Sequence, residues 1–235
     1  VSRYDSLYGV PIRYSLDPAI EAESVRLDVK QIRVDVRGEI NPASGFIESV
    51  RLRGGYADYT HNELADDGAI NTTFNNQGGE ARLELVQREQ NGWRGAIGSQ
   101  IVLRKLNIVG AEKFLPESKT QQYGLFTTQS LDLGALRAEA GARIEHSIAS
   151  ATADAILGNP DIRRRFTSLS GSLGASVEVL TGWRIGLNGS YTQRAPSPEE
   201  LFPNGPHAGT QAFEIGDPTF GKEKSTGLEA ILRGS

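Results

Sequence analysis

The chain has 235 residues, a mass of 25.4 kDa and a formal net charge of -4, so it carries no broad basic field and nucleic-acid binding is excluded. It contains no cysteine, which removes disulfide scaffolds, thiolate metal sites and cysteine nucleophiles, and no uninterrupted apolar run approaches the ~18 residues of a spanning helix. Its 27 glycines point to tight turns and sheet rather than a helical bundle.

Period-two alternation dominates from end to end, which is the signature of strands with two different faces. The chain begins at Val1 with no methionine anywhere, so it reads as a mature or truncated product, and residues 1–7 read as the tail of an earlier strand. In 24–36 the apolar phase changes from Val25, Leu27 and Val29 to Ile32, Val34 and Val36; a β-bulge near Lys30 and Gln31 is the expected cause. Weaker strands follow at 46–61, 73–86, 93–104 and 122–131. The clearest spans 136–146, with Leu136, Ala138, Ala140, Ala142 and Ile144 opposite Arg137, Glu139, Arg143 and Glu145. Strands at 165–179, 183–194 and 225–233 complete a set of ten.

The links between these strands alternate in length. Short ones at 41–45, 88–92, 132–135 and 180–182 alternate with long ones at 62–72, 105–121, 147–164 and 195–223. Short and long ends therefore fall on opposite edges of one meander, as in an outer-membrane barrel with short periplasmic turns and long extracellular loops. Strands of ten or more residues match the ~9–11 of a tilted spanning strand. Trp93 and Trp183 each follow a short turn, while Tyr56, Tyr59 and Tyr191 lie near the long ends, which places two aromatic belts at two membrane interfaces. A soluble β-sandwich would bury the same apolar face as a core, but it gives no reason for the asymmetry of loop lengths. The inward charged rows are too bulky for a closed ten-stranded barrel, so the expected fold is all-β: an antiparallel up-and-down meander forming part of a wide barrel of about 22 strands.

The run Arg194-Ala195-Pro196-Ser197-Pro198-Glu199-Glu200-Leu201-Phe202, then Asn204-Gly205-Pro206-His207, then Phe213-Glu214-Ile215-Gly216-Asp217-Pro218 through Glu223-Lys224-Ser225, resembles the mid-barrel signature of TonB-dependent outer-membrane receptors. Tyr8-Gly9-Val10-Pro11 and the stretch from Gly45 to Tyr56 resemble earlier landmarks of that family. The resemblance implies an integral outer-membrane transport receptor of a Gram-negative bacterium, with residues 1–235 as part of its 22-stranded barrel. The plug domain that gates passage, and through which the TonB complex acts, would lie outside this stretch together with the remaining strands. Cargo in such receptors is a scarce nutrient: a metal ion, metal chelate, siderophore or haem. A passive porin and a surface β-rich adhesion module are the alternatives.

The longest link also has a local physical reading. Ser197-Pro198-Glu199-Glu200 is a helix start, with a Ser cap, Pro at the first position and carboxylates at the positive end, and Pro203 stops it after about one turn. A structured link of that length is expected to contact ligand. Its candidate ligand residues are Asn204, His207, Glu214 and Asp217, and the candidate metal set is His207 with His61, Glu63 and Asp66. The Asn-Gly-Pro-His landmark resembles a zinc-uptake branch of the family, which often carries a His-rich stretch where Ile12, Arg13, Tyr14 and Ser15 stand here. An acidic, solvated loop with one incidental His is the simpler reading of the same residues. His146 ends a strand on the outward phase, as an interfacial residue would. No nucleophile–base spacing singles out an enzyme site, and no resident cofactor is expected, zinc or an iron chelate entering only as cargo. Membrane lipid and the small-molecule or metal ligand complete the expected partners.

Overall fold

The computed structural model describes residues 2–9, 24–65, 67–207 and 212–234. Ten strands form one antiparallel sheet in which each pairs with the next in sequence. They are β1 (Ser2–Gly9), β2 (Ser24–Ile40), β3 (Ile47–Leu64), β4 (Ile70–Gln87), β5 (Trp93–Gly110), β6 (Ser118–Asp132), β7 (Leu136–Ala151), β8 (Ile162–Leu180) and β9 (Trp183–Arg194), closed on the far side by β12 (Glu223–Gly234). Between β9 and β12 the chain forms one helical turn, α1 (Pro198–Leu201), and a separate hairpin, β10 (Asn204–His207) with β11 (Ala212–Ile215). The meander and its strand number are those expected from alternation.

Residues paired across the ladders share a face, so each row can be followed from strand to strand. Leu52, Leu83, Ser99, Leu125, Ile144 and Leu169 form one outward row, and its leucines and Ile144 are exposed, Leu125 to 61 %. Ile32, Val34, Val36, Leu173, Leu187 and Leu228 widen the same apolar face. No second sheet packs on it among the described residues, as a sandwich would require. A continuous apolar face of this extent is stable against hydrocarbon rather than water. The inward face is charged. Arg82 lies 2.6 Å from Glu84, Arg33 2.8 Å from Asp35, and Arg143 pairs with Glu145; each pair spans two positions of one strand, the spacing that puts both side chains on the same face. Phe126 fills the gap left by Gly98 and carries the Arg82 guanidinium 4.1 Å over its ring.

The short turns follow from their residues. Asn91 and Gly92 both have positive φ, 54° and 79°, as the Asn-Gly turn of a two-residue hairpin demands. Trp93 and Trp183 start the strands that follow and are half exposed on the outward face. Tyr56, Tyr123 and Tyr191 stand on that face nearer the long ends. Tyr59 departs from the expected belt: it pairs with Gln31 and Asn76 on the inward face, where it meets the edge of His61.

Two further expectations are corrected. The β1–β2 and β2–β3 ladders run unbroken through Lys30 and Gln31, so no bulge lies there; the register shifts fall at Ile47/Ser49, Glu63/Leu64 and Glu178/Leu180. The change of phase in β2 is a change of surroundings. Ile32, Val34 and Val36 face out within the apolar belt, whereas Leu27 and Val29 pair opposite Glu63 and His61 on the inward face, above the belt. The same switch separates Ile101 and Leu103 from the buried Leu106 and Ile108 in β5, and Leu169 from the buried Phe166 in β8. The long links are also shorter than expected, at 65–69, 111–117 and 152–161, because the strands continue above the belt. Polar rungs sustain them: Thr73 donates to Asn62 at 2.8 Å and Thr60 to Asn75 at 3.2 Å. Of the four links expected to be long, 195–222 remains a long excursion.

Candidate functional site

The buried apolar cluster of the molecule sits at the long-link end of the inward face. Leu106, Ile108, Phe114, Leu115, Ala149, Ala151 and Phe166 enclose Leu201 and Phe202, which are fully covered. The first half of the 195–222 excursion therefore packs inward on the wall, with Leu201 and Phe202 as its anchor.

Ion pairs fix it on both sides. The Arg194 fork grips Glu200 through two contacts of 2.7 and 2.8 Å while its Nε reaches Glu223 at 2.8 Å. One guanidinium thus ties the start of the excursion to its end. Glu200 also accepts the backbone N–H of Ser197 at 2.7 Å, the helix-start geometry expected from sequence. With Arg194 first and that N–H second, its carboxyl is held down at about 2. The neighbouring Glu199 accepts from Arg104 of β5 at 2.6 Å, and Arg104 donates its Nε to Asn76 of β4 at 3.0 Å. Below it, a niche of about 370 Å³ opens in the inward wall over Gly55, Ala57 and Gly78, rimmed by Arg33, Tyr59 and Arg104.

The candidate ligand residues divide into two groups. Asn204 donates its side chain to Leu157 O at 2.6 Å and its backbone N–H to Phe114 O at 2.8 Å, and so binds the excursion to the two neighbouring links. Asp217 accepts from the backbone and hydroxyl of Thr219 at 2.7 and 2.6 Å, which lowers its carboxyl below the usual range. Both shape the loop. His207, by contrast, presents Nδ1 to Glu214 at 2.7 Å across the β10–β11 hairpin and stacks on Phe114 with ring centres 4.1 Å apart. Phe114 meets Phe74 at 6.4 Å, and Phe74 stacks on His61 at 4.6 Å. His61 Nε2 lies 3.6 Å from Glu63, buried and without a hydrogen bond, and the buried Thr72 hydroxyl opposite Glu63 likewise has none.

Two His–carboxylate pairs thus stand at the ends of a phenylalanine bridge. Among the described residues no group of three or more His, Asp or Glu side chains is gathered to hold a metal. Asp66 lies outside the described residues, as do the end of the Tyr8-Gly9-Val10-Pro11 landmark and Ile12 to Ser15. His146 faces outward beside Tyr123 and contacts Thr167 at 3.2 Å, as its phase indicated.

Sequence reasoning missed Arg104, Phe74, Phe114 and the half-buried Lys113–Asp154 pair that joins links 111–117 and 152–161. The Asp154 carboxyl is lowered by Lys113 and by the N–H groups of Leu157 and Ile156. Arg104 and Glu199 stand 95 positions apart, and no local pattern joins them.

The sequence matches the family model described as "TonB dependent receptor-like, beta-barrel" over residues 2–234. Among solved structures, the fold resembles one titled "Copper transporter OprC" at TM-score 0.74 and 14% identity, covering 98% of this chain and 41% of that one. It also resembles the Serratia marcescens hemophore receptor HasR, solved as a double mutant with its hemophore HasA and heme, at TM-score 0.70 and 16% identity, covering 90% of this chain and 38% of that one. The chain therefore spans about two fifths of the length of these structures.

Proposed function

The chain belongs to the TonB-dependent receptor β-barrel family, and on that premise we propose that it supplies wall and mouth to an outer-membrane receptor for active uptake of a scarce nutrient. The observation that carries this reading is the inward-folded excursion. Arg104, Arg194 and the Phe202 anchor hold residues 195–222 over a polar, charged wall, which positions ligand-contacting groups at an entrance instead of leaving an open channel. Energy would reach the receptor from the TonB complex through a plug domain.

The cargo classes are a metal ion or a chelate such as a siderophore or haem. For a borderline-soft cation, His207 with Glu214 and His61 with Glu63 offer nitrogen and oxygen donors. Asn204 and Asp217 act on cargo through the loop shape that they fix. A full-length receptor, expressed in cells starved of each nutrient in turn, should accumulate one of zinc, ferric siderophore or haem, and a protonophore should stop that accumulation. Accumulation that persists under the protonophore would instead identify a passive porin. If the cargo is the cation itself, His207→Ala should weaken zinc binding to the purified receptor, measured by calorimetry; absence of zinc affinity in wild type removes the metal reading while leaving the chelates.

A further inference from the structure

The outward face carries a cationic cluster that neither the wall nor the mouth requires. The register sets Lys105 of β5 beside Lys119 of β6, then Ser150 of β7, then Arg163 of β8, in one row. The row beneath runs Tyr56, Gly79, Leu103, Gln121, Ile148, Arg165. All four cations are exposed. The acids beside them are Glu117, 2.9 Å from Lys105 and 4.0 Å from Lys119, and Asp58 at the far end of the upper row, which accepts from Gln77 at 3.3 Å. A groove of about 320 Å³ runs along the Tyr56, Leu103 and Lys119 side chains, and it is open because Gly79 projects nothing into it.

The height of this cluster matters. Lys105 lies twelve positions along β5 from Trp93, which at ~3.3 Å per residue and a tilt of ~40° is about 30 Å above the lower belt, just beyond an apolar band about 25 Å tall. The cations therefore stand at headgroup level on the lipid-facing side, directly above Tyr123. We infer that Lys105, Lys119, Arg163 and Arg165, with the Tyr56–Leu103 groove, form a seat for a membrane lipid whose headgroup carries phosphate. The ammonium and guanidinium groups pair with phosphate oxygens, and the groove takes the apolar or sugar portion adjoining them. This inference rests on the membrane placement proposed above.

The test is native mass spectrometry of the full-length receptor in detergent, offered lipid A, lipid A stripped of both phosphates, phosphatidylcholine, or inorganic phosphate. Wild type should retain lipid A in preference to the stripped form, and equimolar inorganic phosphate should not displace it. Each basic residue near an anionic surface contributes roughly fivefold, so Lys119→Gln should weaken retention by about that factor. The fourfold variant Lys105→Gln, Lys119→Gln, Arg163→Gln, Arg165→Gln should lower it to the level of the stripped lipid. The inward-facing pair Arg37→Gln with Arg53→Gln should leave retention unchanged, and far-ultraviolet circular dichroism verifies that each variant keeps its β content. Equal retention of phosphorylated and stripped lipid, undiminished retention by a folded fourfold variant, or displacement by inorganic phosphate would overturn the inference. Failure of the receptor to fractionate with the outer membrane would instead overturn the membrane placement, independently of those arms.

Discussion

Arg194 shows how much of the mouth depends on one side chain. Its fork holds Glu200 and Glu223 at once, so the two ends of a 28-residue excursion share a single cation. Glu200 is ionised down to about 2. A carboxyl with a depressed value stabilises the fold fully above its ordinary value of 4.5 and loses that contribution as pH falls toward 2. Protection of residues 195–222 against hydrogen exchange should therefore fade between those values. Glu200→Gln should show the faded state at every pH. Because Glu200 and Arg194 are partly exposed, solvent screening limits the effect to that of a helix cap, about 1 kcal/mol. At this scale the sequence was partly legible. The Ser-Pro-Glu-Glu helix start depends on spacing within four residues and could be read directly, whereas the role of Asn204 depends on Leu157, 47 positions away, and could not be told apart from a ligand contact.

At the scale of elements, the β10–β11 hairpin is held by close approach as well as by bonds. A Cβ on Gly205 would come within 2.5 Å of Lys113 O and 2.8 Å of Phe114 Cα, both backbone atoms that cannot move aside alone. Gly205→Ala should therefore lift the hairpin from link 111–117 and part the His207–Phe114 stack, with protease sensitivity rising in the excursion while the spanning strands stay resistant. Alternation identified the strands because a residue facing lipid and one facing the wet interior differ in kind. It misread β2 for the same reason. Above the belt, apolar residues occupy the inward face, so Leu27 and Val29, opposite Glu63 and His61, break the phase with no irregularity in the backbone. Where strands ended was hidden as well, since Asn62 carries loop-like composition yet accepts from Thr73 across the ladder.

For the whole molecule, the decisive feature is a sheet apolar on the outside and charged on the inside, the reverse of a soluble domain. Its consequence is a sidedness of tolerance. Leu125→Arg, in the middle of the outward face, should cost about 2–4 kcal/mol of folding into lipid vesicles, measured in the full-length receptor by urea titration. The inward Gln100→Arg, beside Arg82 on the wet face, should cost far less. If the two cost the same, the outward face is not against lipid.

The strands that continue above the apolar belt have one more consequence, for how such a rim can vary over evolution. A rim built from continuing ladder keeps the strand's period of two, so lengthening β3 by one residue below His61 would turn His61 and Glu63 from the inside of the rim to the outside, while lengthening it by two would raise them and leave them facing as before. The height of this entrance can thus be tuned in even steps only, and relatives whose rims differ by an odd number of residues must carry a bulge to make up the difference.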